Sequence, residues 1–232
     1  MGSAANALID RLPRNESWVS GRSHCDKCKH VLNWYDLLPV FSYLLVKGKC
    51  RYCKSPIPPR NLLVEMFLGL AFIVLSWKFS VVSGQTILLF GILWVTTIIA
   101  VMDWETKLVS EAIVITWAVL VLMSVGLSLS PLVGVVTGVG IIGGIWAATK
   151  GKAMGFGDVE IAAVMGYWLG WQNTLVGLWL AFVTGAIVGV YQIIKGKKKL
   201  KSEIAFGPFL VIGAWMAYFW GDTIIRWMGF PY

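Results

Sequence analysis

The sequence predicts an all-α polytopic membrane helical bundle preceded by a small polar segment that carries every cysteine. Three observations lead there. The chain is 57% hydrophobic and only 14% charged, with a mean hydropathy of +0.73. From Asn61 onward it is a series of apolar stretches broken by short polar loops, several approaching the roughly 20 residues that cross a bilayer as helix. Residues 1–60 are polar, with prolines at 13, 39, 56, 58 and 59, and bury too little apolar area for a core without a staple.

The apolar stretches define seven expected spans, near residues 62–82, 86–102, 111–129, 132–149, 158–171, 174–194 and 204–221. The fifth is short for a full crossing and is expected to be broken or tilted. Gly134, Gly138, Gly140, Gly143 and Gly144 recur at near-helical spacing in the fourth. They are read as packing positions, because small residues let membrane helices approach closely. Ahead of the spans, residues 2–11 read like the last turns of a helix.

The formal net charge of +8 raises nucleic acid as a partner, but its placement argues against it. If the first segment lies in the cytoplasm and the spans alternate, eighteen of the twenty Lys and Arg residues fall inside, leaving only Lys78 and Arg226 outside. That is the positive-inside pattern. The charge is mostly topology, and the partner it implies is anionic lipid; the lysine run at 195–201 is read as a cytoplasmic anchor. The same orientation puts all four cysteines in a reducing compartment, where disulfides are disfavoured. No cleavable signal peptide is visible, since residues 1–15 lack a continuous apolar core.

Cys25-Asp26-Lys27-Cys28 and Cys50-Arg51-Tyr52-Cys53 are paired C-x-x-C knuckles separated by 21 residues. Two thiolates per knuckle suit one tetrahedral zinc, which would give this polar segment its reason to fold. The fold expected is thus a membrane bundle with a cytoplasmic four-cysteine zinc-binding segment. A redox role is the rival reading of each knuckle. His24 and His30 flank the first knuckle and are read as surface or supporting residues, because four sulfurs suffice.

Two aspartates carry the chemistry. Asp103 ends one apolar run and Asp158 opens another, in Gly155-Phe156-Gly157-Asp158. Carboxylates at the ends of membrane helices are functional candidates by default. Alternating the spans puts both at the cytoplasmic face. Two adjacent carboxylates do not both ionise easily, so such a pair shares one proton and can act as general base and general acid together. Gly155 and Gly157 lack a Cβ and would let a substrate strand approach. Taken singly, Asp158 reads as a helix cap and Asp103 as a juxtamembrane charge. Glu105, Glu111 and Glu160 are read as loop or cap residues.

These residues resemble the type IV prepilin peptidases, bacterial membrane aspartic proteases. The resemblance runs through Asp10-Arg11-Leu12-Pro13, the two cysteine knuckles, Asp36-Leu37-Leu38-Pro39, Gly155-Phe156-Gly157-Asp158 and Phe206-Gly207-Pro208-Phe209. It implies removal of a short basic leader from prepilins or pseudopilins at the cytoplasmic face of the bacterial cytoplasmic membrane, with Asp103 and Asp158 as the catalytic pair. It also implies N-methylation of the new terminus with S-adenosylmethionine, an activity associated with the cysteine-bearing segment. No methyl-donor motif is visible in the sequence. The division implied is residues 1–60, carrying the zinc motif and a truncated first helix, and residues 61–232, carrying the peptidase. Ser110, Glu111, Glu160 and Ala205 depart from the family's usual residues. A transporter with paired acidic residues, or a zinc-dependent membrane adaptor, are the readings from other classes.

Overall fold

The computed structural model describes residues 2–14, 16–17, 22–79, 83–195 and 205–229. The lysines at 197–199 and 201 lie outside the described residues. The chain divides into two compact units, Met1–Ile98 and Ile99–Tyr232. The described residues form helices α1 (Gly2–Arg11), α2 (Phe41–Leu45), α3 (Pro59–Lys78), α4 (Gly84–Thr106), α5 (Glu111–Val125), α6 (Leu132–Thr149), α7 (Phe156–Ile194) and α8 (Gly207–Trp227). Two isolated antiparallel bridges, His24 to Val31 and Lys49 to Pro56, are their only β pairing.

In the first unit, α1 packs on the start of α3. The Asn6 amide donates to the Asn61 carbonyl at 3.0 Å, and Arg60 pairs with Asp10 at 2.8 Å. Pro59 opens α3 at a position where its missing N–H costs no helical hydrogen bond. Between these helices stand the two knuckles. In each, the N–H of the residue after the second cysteine donates to the carbonyl of the first, from Lys29 to Cys25 at 2.8 Å and from Lys54 to Cys50 at 2.9 Å. Both lysines are left-handed (φ 57° and 60°), and that turn brings both sulfurs of a pair to one side.

The second unit contains the seam of the bundle, where α7 packs between α6 and α8. Close backbone approach makes it. The place a Cβ on Gly134 would take is filled by the Gly166 carbonyl, and Gly138 meets Ala162 in the same way. Gly177 and Gly213 repeat the arrangement between α7 and α8. Lipid tails supply little drive for association, so van der Waals contact between small residues holds such a seam. The glycine stripe of α6 is therefore split in role: Gly134 and Gly138 pack, while Gly140 and Gly144 have open space around them.

Among the described residues, five helices are long and apolar enough to cross a membrane, against the seven spans expected. Two features account for the difference. Helix α5 has only 15 residues, because Gly126 (φ 80°) ends it. Helix α7 has 39 residues interrupted at Gly170 (φ 72°, ψ 170°). Twelve residues along a straight helix are about 18 Å apart, yet the Met165 side chain lies against Gly177. The chain therefore folds back at Gly170, and residues 156–169 and 171–194 are antiparallel rods. Contacts 138 to 162 and 134 to 166, then 177 to 213 and 185 to 209, bring the starts of α7 and α8 to one end of this unit.

Candidate active site

That shared end holds both aspartates. Asp103 lies in the last turn of α4 and Asp158 in the first turn of α7, and they are only 5% and 6% exposed. The two carboxylates are close enough to act on each other electrostatically. Each is also fastened by a backbone donor at a helix start. Asp103 Oδ2 accepts the N–H of Gly207, the first residue of α8, at 2.9 Å. Asp158 Oδ2 accepts the N–H of Gly155, which precedes α7, at 3.2 Å. Helix N-termini carry unpaired N–H groups and the positive end of the helix dipole, so both carboxylates sit where negative charge is stabilised.

Gly207, in Phe206-Gly207-Pro208-Phe209, is the residue that seats Asp103. A Cβ there would meet Asp103 Oδ2 at 2.7 Å, so only glycine lets the carboxylate reach the amide. The signal was Gly207-Pro208 opening an apolar run, a helix-start pattern.

The two glycines before Asp158 differ. A Cβ on Gly157 would meet the Val109 side chain at 2.7 Å, so the loop after α4 closes directly over the start of α7. Gly155 is exposed, and a Cβ there would meet nothing nearer than Asp158 Oδ2 at 3.9 Å. Lys107, left-handed at the end of α4, acts on Asp103 from its own loop. Glu105 and Glu111 are exposed, and Glu160 is half-buried beside Glu111. An apolar rim flanks Asp103: Trp104 meets Phe209 edge-on at 6.3 Å, and Phe206 meets Phe182 at 5.1 Å.

In the first unit, the sulfurs of Cys25, Cys28, Cys50 and Cys53 lie within 4.8 Å of one another. Cys25 and Cys53 are 3.8 Å apart, too far for a disulfide, and all four thiols are free. A tetrahedral zinc with bonds of about 2.3 Å has sulfur–sulfur edges of about 3.8 Å. The donor set thus fits such an ion in chemistry and spacing. Hydrogen bonds from Ser55, whose hydroxyl is 3.1 Å from Cys53 Sγ, pull that thiol down to about 6, toward the thiolate a metal needs. Neither histidine joins the group: the His30 ring lies against Tyr52 at 3.6 Å, tilted by 35°, and His24 Nδ1 is 3.4 Å from the Arg22 carbonyl.

Comparison with known proteins gives matches along most of the chain. The bacterial peptidase A24 N-terminal domain matches residues 1–79, and the type IV leader peptidase family matches residues 87–190. A Pseudomonas putida protein named prepilin leader peptidase/N-methyltransferase is 33% identical, covering 87% of this chain and 73% of its own length. Proteins of the same name from Legionella pneumophila and Stutzerimonas stutzeri are 32% and 31% identical over 98% and 97% of the chain, and 90% and 88% of theirs. No solved structure matches. The chain belongs to the type IV leader peptidase family of bacterial membrane peptidases.

Proposed function

We propose that Asp103 and Asp158 are the catalytic pair of an aspartic endopeptidase that removes the basic leader from type IV prepilins or pseudopilins at the cytoplasmic membrane face. The observation that carries this reading is the pairing of two buried, interacting carboxylates, each held by a helix-start amide. With one oxygen of each fixed, the other is left for water and substrate. One carboxylate takes a proton from water as it attacks the scissile carbonyl. The other, carrying the shared proton, hydrogen-bonds the carbonyl oxygen, and the pair then returns a proton to the leaving amine. No metal or covalent intermediate is needed. The aromatic rim at Trp104 and Phe209 suits an apolar segment following a basic leader, and exposed Gly155 leaves room for an extended strand.

The cysteine group would hold a structural zinc, organising the segment between α1 and α3. S-adenosylmethionine would supply the methyl group that the relatives' name implies. The positive-inside pattern supports a cytoplasmic position for both sites.

Co-expression with a prepilin in a host lacking its own leader peptidase, followed by mass measurement of the prepilin N-terminus, tests this. Loss of the leader mass plus one added methyl is the expected result. An intact leader would overturn the peptidase assignment, and an unmethylated cleaved product would overturn the second activity.

A further inference from the structure

The segment between α1 and α3 leaves its largest apolar side chains outside. Among the described residues from 12 to 58, Cys50 is the only buried hydrophobic one. Trp34, Phe41 and Leu45 are instead 75%, 71% and 76% exposed, and Leu38 and Leu44 between them are exposed too. The turn at Trp34–Asp36 packs against α2, so these residues share one surface. Single apolar side chains in water need no explanation; five within twelve residues of a polar segment mark an interaction site.

Hydrogen bonds fasten this surface to the start of α3. The Val40 N–H, next to Phe41, donates to Glu65 Oε2 at 2.9 Å. The Ile57 N–H donates to the Gly48 carbonyl at 2.8 Å, and the Tyr43 hydroxyl donates to the Ile57 carbonyl at 3.5 Å. Val40 holds φ 64°, unfavourable for a β-branched residue, so its turn is kept by these bonds against its own preference.

That fastening sets a depth. Helix α3 has 20 residues, a length of about 30 Å, which matches the hydrocarbon core of a bilayer. Glu65 lies six residues beyond Pro59, about 9 Å along the axis, and helical side chains lean back toward the N-terminus. The Val40 turn is thus held alongside the first two turns of α3. At that level α3 exposes Leu63, Met66 and Phe67, which suit acyl chains better than water.

Charge matches the headgroup layer at this depth. Lys47, Lys49 and Lys54 are exposed and line one depression with Leu45. Arg51 lines it too, but is turned to Asp36 at 3.2 Å and lies 5.0 Å from the Tyr35 ring. The acids nearby are engaged within the protein, Asp36 by Arg51 and the Tyr52 hydroxyl and Glu65 by the Val40 N–H. Aromatic and aliphatic side chains bordered by lysines are the pattern of a segment lying in a membrane interface.

We propose that residues 34–46 dock on an anionic lipid surface. Trp34, Phe41 and Leu45 enter the boundary between headgroups and acyl chains in the leaflet that α3 enters. Lys47, Lys49 and Lys54 meet the lipid phosphates. Because Lys49 leads directly into Cys50, the docked surface holds the second cysteine knuckle against the bilayer. This role is separate from both enzymatic activities.

The test uses the full chain in nanodiscs of phosphatidylcholine mixed with phosphatidylglycerol. A photo-crosslinking phenylalanine analogue replaces Phe41 in one sample and Leu70, exposed on α3, in another. Irradiation and mass measurement should add a phospholipid at both positions. Combining Lys47→Ser, Lys49→Ser and Lys54→Ser should lower the ratio of phosphatidylglycerol to phosphatidylcholine adducts at position 41. The expected drop is at least about fivefold, the worth of one lysine near an anionic surface, with helical signal unchanged. Lipid at position 70 and none at position 41 would overturn the docking. A cross-link from position 41 to a second copy of the chain would assign the surface to self-association instead. An adduct ratio indifferent to the three lysines would overturn the anionic partner.

Discussion

The Asp103 carboxylate rests on the N–H of Gly207 at 2.9 Å, so the last turn of one membrane helix is held by the first residue of another 104 positions away. The contact orients the carboxylate and supplies a fixed positive dipole. Gly207→Ala would push a methyl group into Asp103 Oδ2. A misplacement of about 1 Å at a reacting group lowers rate by roughly 100-fold. Leader cleavage by Gly207→Ala should fall by about that factor with little change in KM, as measured by steady-state kinetics on a synthetic leader peptide.

The glycine seam makes a stability prediction with an internal control. Gly134→Leu has to displace the Gly166 backbone, whereas Gly144→Ala enters open space. Overpacking of this kind costs about 1–3 kcal/mol or more, while alanine in a helix is favoured over glycine by roughly 0.5–1 kcal/mol. Unfolding in mixed micelles should place Gly134→Leu well below wild type and Gly144→Ala at or above it.

Metal removal should unfold the knuckle region and leave the peptidase helices folded. Cys25→Ser or Cys50→Ser should reduce bound zinc from one ion per chain toward zero. Hydrogen exchange should then rise across residues 22–57 and stay unchanged across α7 and α8. Full metal content in either serine variant would remove zinc from the account.

Acid should release the metal, because its ligands must be thiolates. Ser55 hydrogen-bonds the metal-free Cys53 thiol and lowers it to about 6, favouring the thiolate that binds the ion. Without the Ser55 hydroxyl the thiol rises and protonates earlier on acidification. The pH of half-release should therefore move upward in Ser55→Ala, followed with a zinc-sensitive dye. A downward shift would contradict the assigned hydrogen bond.

Much of the site was legible because its chemistry conflicts with its surroundings. Asp103 and Asp158 stand out as carboxylates at the ends of apolar runs, and four cysteines stand out in a segment too polar to fold alone. The partners of those residues were not legible. That Gly207 seats Asp103, and that Val109 fills the place beside Gly157, are contacts between distant stretches of chain that no local pattern encodes. A break was expected between residues 158–171 and 174–194; it falls at Gly170, inside the first of these, where φ is 72°. Glu65 was visible as a charge within an apolar run; its role emerges only once the Val40 turn is seen against it.

The central claim is that Asp103 and Asp158 act as one unit. The most direct measurement is the single-turnover cleavage rate of a purified prepilin by wild type, Asp103→Asn, Asp158→Asn and the double variant. Groups acting together are non-additive, so each single substitution should abolish cleavage as fully as both, a loss of at least about 10²–10⁴-fold. Substantial cleavage by either single variant, or losses that multiply in the double variant, would contradict the shared-proton mechanism.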